Sequence, residues 1–267
     1  AGPRGDDVYS QSGNAVLYDI GKILKVGGSP AYENANASSS AYTIELGASA
    51  VVRKISPMNY ARAFHNSVVL PNGQVVVVGG QTYPVPFSDN NSVLVPELWD
   101  PVTQTFSSMP AMSVPRNYHG VSLLMADGRV VTAGGGLCGT GCAANHPNLQ
   151  ILTPQYLLNA DGSAATRPTI TQAPTVANLG SSVTVNTGGS VAAFVLMRLG
   201  AATHTVNNDL RRVPLTHQAA SATQYTVSIP SNPGIALPGY YMLFALNADG
   251  VPSVAKTIRI SADSAPK

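Results

Sequence analysis

Two short stretches of this chain carry the side chains best suited to chemistry. Arg116-Asn117-Tyr118-His119 places a phenol beside an imidazole, and Ala202-Thr203-His204-Thr205 supplies a second imidazole far along the sequence. Imidazole nitrogens suit copper, zinc, iron and nickel, whereas a phenolate favours a metal that can take charge from it. Together they indicate a site for a borderline-soft transition metal, with Tyr118, His119 and His204 as candidate ligands.

Tyr118 and His119 are neighbours in the sequence, and this restricts how they can act together. Adjacent residues point to opposite faces of a regular strand, so the two can share a metal only where the backbone departs from a strand. Pro115 and surrounding turn-forming residues permit such a departure. A hydrogen-bonded structural role is the competing interpretation of any lone histidine in a β-rich chain. We interpret His146 and His217 as structural or surface residues, and His65 as a structural residue.

The elements that must position these side chains form a repeat in the first 150 residues. Gly-Gly pairs occur at 27–28, 79–80 and 134–135, and the turns Asn72-Gly73 and Asp127-Gly128 precede the last two. Strands joined by Asn-Gly or Asp-Gly are a strong hairpin signal. A period near 50 with strand, turn, strand and Gly-Gly is typical of a kelch blade. About three blades are present, whereas a closed propeller typically needs 4–8.

The repeat also offers an interpretation without chemistry. It aligns Phe64-His65 with Tyr118-His119, so an aromatic-histidine pair could be a feature of every blade. Trp99, the sole tryptophan, fits the aromatic position of a kelch repeat. The spacing alone leaves both interpretations open.

The pattern changes near residue 156, where short alternating runs separated by turn residues begin. About seven short strands in roughly 100 residues indicate an immunoglobulin-like sandwich. We therefore predict an all-β chain with blades of a kelch β-propeller over residues 1–155 and a β-sandwich over residues 156–267. His204 would lie in a turn between strands of the second domain.

Composition excludes some partners. Net charge is +2 with only 10% charged residues, and no basic run is present, so we expect no nucleic-acid partner. No apolar stretch approaches the roughly 18 residues of a membrane span, so we expect no membrane partner. The sequons at Asn36 and Asn90 are candidate glycosylation sites and favour a secreted, extracellular protein.

The two cysteines, Cys138 and Cys142, are too few for a four-thiolate zinc site. Their spacing differs from the redox C-x-x-C pattern. The three small residues between them allow the sulfurs to meet, and a disulfide would imply an oxidising compartment.

Several long motifs, in order, resemble the C-terminal part of galactose oxidase and its relatives, the copper radical oxidases. The likeness runs from about Gly13 to Ile260. In that family a seven-bladed kelch propeller holds one copper near its axis, and a loop of the C-terminal sandwich donates a histidine. The motifs that carry the resemblance are Arg116–His119, Gly134–Gly139, Gly200–Asp209 and Leu237–Phe244.

The resemblance implies a role for each candidate residue. His119 and His204 would be equatorial copper ligands, and Tyr118 the axial phenolate and the base that takes the alcohol proton. Cys138 and Cys142 would form the family's disulfide, although their spacing is one residue longer than in galactose oxidase. The remaining assignments place three aromatic side chains in the substrate pocket or close to the copper: Phe64, Phe87 and Tyr32.

One departure from the family is decisive for the expected function. The family's working cofactor is a tyrosine cross-linked to a cysteine in earlier blades, and this chain has no cysteine besides Cys138 and Cys142. We therefore expect the C-terminal chain or fragment of a secreted copper radical oxidase, which oxidises galactose or another primary alcohol to an aldehyde and reduces O2 to H2O2. An N-terminal chain or segment of the same oxidase would complete the propeller and supply the Tyr-Cys radical.

Two alternatives remain open at this point. A glyoxal-oxidase-like aldehyde oxidase would keep the same ligands. A non-catalytic kelch-plus-sandwich binding module would need no radical.

Overall fold

A computed structural model of the chain describes residues 6–7 and 10–262. Its regular structure consists of strands and one 3-10 turn, Gln155–Leu157, so the predicted all-β fold class is confirmed. In the part of the chain that the structure describes, no helix is long and apolar enough to span a bilayer.

The chain divides into two compact units. Segment Gly200–Leu210, which carries His204, belongs to the first unit although both of its flanks belong to the second. The first unit otherwise contains residues up to Leu124 and Val130–Leu152, and the second contains Met125–Arg129, Thr153–Leu199 and the residues from Arg211 onward.

The first unit begins with two four-stranded antiparallel sheets whose strands follow chain order. The Asn72-Gly73 turn is formed as predicted, with Gly73 at φ +92°, in the left-handed region that glycine adopts without steric cost. The first sheet consists of β1 (Asn14–Asp19), β2 (Lys22–Val26), β3 (Ala41–Glu45) and β4 (Val51–Ile55). The second consists of β5 (Ala63–Val69), β6 (Val75–Gln81), β7 (Glu97–Asp100) and β8 (Thr105–Ser108).

A third antiparallel sheet has three strands: β9 (Gly120–Leu124), β10 (Val130–Gly134) and β11 (Leu149–Leu152). Strand β5 contacts both β1 and β9, and every residue of β5 and β6 is buried. Strands β5 and β6 are therefore covered on both faces, which explains why β6 begins with four consecutive valines rather than an alternation of apolar and polar residues. Sheets of this kind, with strands in chain order, are typical of propeller blades.

Two buried arginines at equivalent positions of successive repeats make the same kind of hydrogen bond. Arg62 and Arg116 each donate through Nη1 to the carbonyl of the first glycine of the next Gly-Gly pair, at 3.0 and 2.8 Å. Their second partners differ, because Arg62 forms a fully buried ion pair with Glu97 at 2.6 Å. Arg116 instead donates to the side-chain oxygen of Asn148 at 2.8 Å. The arginine of each motif therefore supports the scaffold beside the predicted ligands.

The second unit has a four-stranded and a five-stranded sheet. Side chains from both sheets form one core, including Leu196, Val227 and Leu243, as in a β-sandwich. The ring of His217 packs near Phe194 and Tyr225, which fits a structural residue. Its strands are β12 (Ile170–Gln172), β13 (Val176–Asn178), β14 (Ser182–Thr187), β15 (Ala193–Arg198), β18 (Arg212–Leu215), β19 (His217–Ala219), β20 (Gln224–Ser228), β21 (Gly239–Leu246) and β22 (Lys256–Ser261). The four-stranded sheet has the order β12-β14-β20-β19, and the five-stranded sheet has the order β13-β22-β21-β15-β18. Two short strands between β15 and β18, β16 (Ala202–Thr203) and β17 (Val206–Asn207), lie in the first unit.

Candidate metal centre

The three predicted ligands lie together in the first unit. The Nε2 atoms of His119 and His204 are 3.1 Å apart. The ring of Tyr118 lies 3.9 Å from that of His119 and 5.7 Å from that of His204, measured between centroids. Two imidazoles and a phenol thus face one small volume.

A left-handed backbone residue allows Tyr118 and His119 to share this volume. His119 has φ +63°, and the strand β9 begins only at Gly120. The alternation of a strand is therefore broken at His119, and the two rings lie side by side with a tilt of 32°.

His204 is presented by the two-residue turn between β16 and β17. Both turn residues have positive φ, +47° at His204 and +71° at Thr205, as in the type I′ turns that usually contain Asn-Gly. A β-branched threonine is a poor choice for such a turn. The turn is therefore kept for what it presents rather than for its intrinsic stability.

Backbone strain is concentrated around this centre. Left-handed φ at residues other than glycine costs of order 1–3 kcal/mol each and tends to occur at ligand sites. Six such residues lie in the segments that form the centre, with φ between +47° and +71°: Phe64, Phe87, His119, Leu137, His204 and Thr205.

The pairing of strands corrects the alignment of the two aromatic-histidine pairs. His65 pairs with the first glycine of its Gly-Gly pair, whereas in the third sheet Gly120 does so. His119 is therefore the counterpart of Phe64, and both have φ near +60°. One extra residue lies between Arg116 and β9, so the interpretation of both pairs as one repeated feature does not hold.

His65 has a different environment from His119. It is fully buried, and its ring packs so closely on Gly27 that a Cβ there would lie 2.6 Å from Cε1. Burial lowers the pKa of His65 well below its usual range, and the positive charges of Arg62 and Lys25 lower it further. This agrees with the structural role given to His65.

A hydrogen bond defines which nitrogen of the neutral His119 imidazole carries the proton. Nδ1 of His119 lies 2.7 Å from the carbonyl oxygen of Gly136, which can only accept, so Nδ1 carries the proton and Nε2 a lone pair. Nδ1 of His204 lies 2.8 Å from the hydroxyl of Thr203. That hydroxyl can donate or accept, so Nε2 of His204 either donates to Nε2 of His119 at 3.1 Å or faces it with a second lone pair. In the second case a shared cation would relieve the repulsion between the two lone pairs.

The spacing of the two nitrogens fits a common metal ion. Bonds of about 2.0–2.1 Å from each Nε2 to one ion would subtend an angle of about 100° at the metal. The described residues contain no group of three or more His, Cys, Asp or Glu side chains that could hold a metal. The candidate donors that the described residues offer here are therefore two imidazoles and the phenol of Tyr118, and imidazole suits copper as well as zinc, iron and nickel.

Aromatic rings surround Tyr118. Phe64 and Phe87 each lie 5.1 Å from it, and Tyr32 lies 5.9 Å away. Phe64 is buried, whereas Phe87 is 45% and Tyr32 39% exposed. Partial desolvation, and then a hydrogen bond with Tyr118, raise the pKa of Tyr32 to about 12. The residues predicted to line a substrate pocket thus form an apolar wall with one open side.

The disulfide lies in the loop that orients His119. Cys138 and Cys142 are bonded, with their Cα atoms 5.7 Å apart, in the segment between β10 and β11 that also contains Gly136. The side chain of Asn145 braces this loop by accepting from the backbone N–H of Cys138 at 3.1 Å and donating to the carbonyl of Gly139 at 2.7 Å.

Sequence reasoning missed two polar contacts that support the centre. Nε2 of His146 lies 3.0 Å from both carboxylate oxygens of Asp89, which joins the loop of Phe87 to the disulfide loop. Asn14 donates to the carbonyl of Thr205, next to His204. The partners are 57 and 191 positions apart, so no local pattern could have revealed them.

The two sequon asparagines, Asn36 and Asn90, are both exposed. Their loops are joined by a hydrogen bond from the N–H of Ala37 to the carbonyl of Thr82. Glycosylation at these positions stays a prediction.

The fold and the centre define an all-β protein with two imidazoles and a phenol, a candidate metal site, beside aromatic rings. Comparison with known proteins then identifies its relatives. Residues 167–260 match the family model of the galactose oxidase-like, early set domain. A galactose oxidase of Gibberella zeae is 46% identical over 265 residues, which are 97% of this chain and 39% of that protein.

Two further relatives agree. A solved structure of a fungal alcohol oxidase of the AA5 family, in complex with copper, matches with a TM-score of 0.95 and 42% identity, over 98% of this chain and 56% of that one. An aldehyde oxidase, GLOX, of Vitis pseudoreticulata is 30% identical over 78% of this chain and 43% of its own length. The resemblance to the galactose oxidase family is confirmed, and the chain spans about 39% of the galactose oxidase it matches.

Proposed function

We propose that this chain is part of a secreted copper radical oxidase that oxidises a primary alcohol to an aldehyde and reduces O2 to H2O2. The observation that carries the proposal is the pair of Nε2 atoms 3.1 Å apart beside a phenol. The similarity to a galactose oxidase and to a copper-containing alcohol oxidase supports it.

Nε2 of His119, Nε2 of His204 and the phenol oxygen of Tyr118 would hold the metal. Copper, when bound, supplies an electron acceptor and a point at which the alcohol is held. The carbonyl of Gly136 and the hydroxyl of Thr203 fix the orientation of the two imidazoles through their Nδ1 atoms. Outer partners of this kind keep ligating histidines oriented.

Tyr118 is the proposed general base. Its oxygen would accept the hydroxyl proton of the alcohol, a role that requires the phenolate to lie within hydrogen-bond reach of that proton. Phe64 and Phe87 pack against its ring and exclude water from that side. Tyr32, a neutral phenol at physiological pH, hydrogen-bonds with Tyr118 and holds its orientation.

The radical partner must come from elsewhere in the protein. Both cysteines of this chain are joined to each other, so neither is free to cross-link to a tyrosine. We propose that an N-terminal chain or segment of the same oxidase supplies the Tyr-Cys group and the remaining propeller blades. The larger size of the galactose oxidase relative is consistent with such a segment.

An alcohol is favoured over an aldehyde as substrate because identity to the galactose oxidase, 46%, exceeds that to the plant aldehyde oxidase, 30%. A purely binding role is disfavoured because the chain is similar to a galactose oxidase and to an alcohol oxidase that was solved in complex with copper. The apolar wall around Tyr118 fits galactose or another primary alcohol whose carbon side packs on aromatic rings.

The test uses the full-length protein that contains this chain, loaded with Cu(II). We expect H2O2 release that depends on a primary alcohol, with weaker release from aldehydes. Tyr118→Phe should retain copper and lose about 10²–10⁴-fold in turnover, as for loss of a general base. His204→Ala should lose copper affinity, whereas the control His217→Ala, in the sandwich, should keep both copper and activity. Wild-type protein that binds no copper, or Tyr118→Phe with unchanged turnover, would contradict the proposal.

A further inference from the structure

We propose that Asn14 is a positioning residue for His204, because its side-chain amide holds the strained turn that presents this imidazole. The inference rests on the proposed function, since it assigns a part in the same metal centre. Asn14 lies at the start of β1, 191 positions from Thr205, whose carbonyl it binds.

The turn needs an external support. His204 and Thr205 both have left-handed φ, +47° and +71°, and such backbone persists only where its surroundings over-determine it. The strands on either side are only two residues long, with the pairs Ala202–Asn207 and Thr203–Val206. A hairpin this short cannot by itself keep a threonine in that region.

The base and the tip of the turn are held by different groups. At the base, the side-chain oxygen of Asn207 accepts from the N–H groups of Ala201 and Leu210, at 3.0 and 3.2 Å. At the tip, Nδ2 of Asn14 donates to the carbonyl of Thr205 at 2.6 Å. Both Asn14 and Thr205 are 5% exposed, so most of the surface of each residue is shielded from bulk solvent.

The same amide group of Asn14 makes a second bond. It donates to the carbonyl of His65 in β5 at 3.0 Å. An amide has two N–H hydrogens, and both are therefore used on carbonyls of two separate segments. Asn14 thus ties the His204 turn to the rigid, fully buried strand β5. A cavity of about 300 Å³ lined by Asn14, Lys25 and residues 205–208 borders the turn, so packing supports it little on that side.

One of the two hydrogen bonds of Asn14 recurs in the next repeat of the chain, and the other does not. Asn66 is the counterpart of Asn14, because each pairs with the residue before a Gly-Gly pair. Asn66 donates to the carbonyl of Gly120 at 3.1 Å, and Gly120 is the counterpart of His65. The bond to the next sheet therefore recurs, whereas among the described residues only Asn14 adds a bond to Thr205. Asn66 is consequently a matched control.

The experiment compares Asn14→Ala with Asn66→Ala in the full-length protein. Both should lower the unfolding temperature of the metal-free protein, since each loses a bond between sheets, and Asn14→Ala should lower it more because it also loses the bond to Thr205. Only Asn14→Ala should weaken Cu(II) binding, by about 10–100-fold, as for loss of an outer partner of a ligand. Its copper EPR spectrum should lose the nitrogen coupling of one imidazole, and Asn14→Ser, which keeps one donor, should fall between.

A metal-free measurement separates failure of this inference from failure of the proposed function. Amide hydrogen exchange of residues 203–206 should accelerate in Asn14→Ala and stay unchanged in Asn66→Ala. Wild-type protein without copper affinity would refute the proposed function, and the exchange comparison would then decide the role of Asn14. Equal copper affinity, EPR spectra and exchange in the two variants would overturn the inference. If Asn14→Ala does not fold, Asn14→Ser is compared in the same way.

Discussion

Replacing Glu97 by glutamine should loosen the middle sheet of the first unit, the sheet that begins next to Phe64. Glu97 and Arg62 are both 0% exposed and lie 2.6 Å apart. Burial lowers the pKa of Arg62 and the carboxylate of Glu97 opposes that effect. The same carboxylate accepts from the backbone N–H and the amide of Asn59, at 2.6 and 2.9 Å. Glutamine keeps the size but turns an N–H group towards one of these donors.

The size of the effect follows from the burial. Breaking a buried ion pair by removing one charge costs about 3–5 kcal/mol, because the other charge stays buried without compensation. Arg116 provides the comparison, since its second partner is the neutral and exposed Asn148. Asn148→Ala should therefore cost only about 0.5–1.5 kcal/mol, the net value of an ordinary hydrogen bond.

Hydrogen exchange followed by mass spectrometry measures this locally in the full-length protein. A change of about 3–5 kcal/mol in opening free energy corresponds to roughly 100- to 5,000-fold faster exchange in peptides from β5, β6 and β7. Peptides from β21 in the sandwich serve as the internal reference. The effect of Asn148→Ala is measured in peptides from its own sheet, β9, β10 and β11. Equal acceleration of exchange by the two variants, each in its own sheet, would refute the reasoning, because the charge of Glu97 would then add nothing to stability.

Two further predictions concern pH and redox state. The folded-state pKa of His65 is far below its ordinary value of 6.5, so protonation of this imidazole favours the unfolded chain. The free energy of unfolding should therefore be highest above about pH 6.5 and should decline as the pH falls towards 5. Urea titrations at several pH values measure this decline, and it should be smaller in His65→Gln. Reduction of Cys138–Cys142 should destabilise the protein by less than the roughly 3 kcal/mol expected of a 15-residue loop, because this loop is much shorter. It should still weaken copper binding by loosening the loop that contains Gly136, and unchanged affinity after complete reduction would contradict that role.

The fold class could be predicted from the sequence because the patterns that indicate strands and turns are local. The Gly-Gly pairs, the Asn-Gly and Asp-Gly turns and the apolar runs each describe one hairpin, and their recurrence describes the sheets. The candidate ligands followed from long motifs that resemble those of a known family. Tyr118, His119 and His204 could be named in this way before any distance between them was known.

Only the tertiary structure decided how these residues act together. The sequence aligned His119 with His65, but strand pairing places one extra residue before β9 and makes Phe64 the counterpart of His119. A one-residue shift reverses which face of a strand a side chain occupies, and no composition or period records it. The 3.1 Å approach of two imidazoles and the bond from Asn14 to the His204 turn likewise join distant segments. Such contacts depend on how whole sheets pack, whereas local sequence determines only the strands and turns from which the sheets are built.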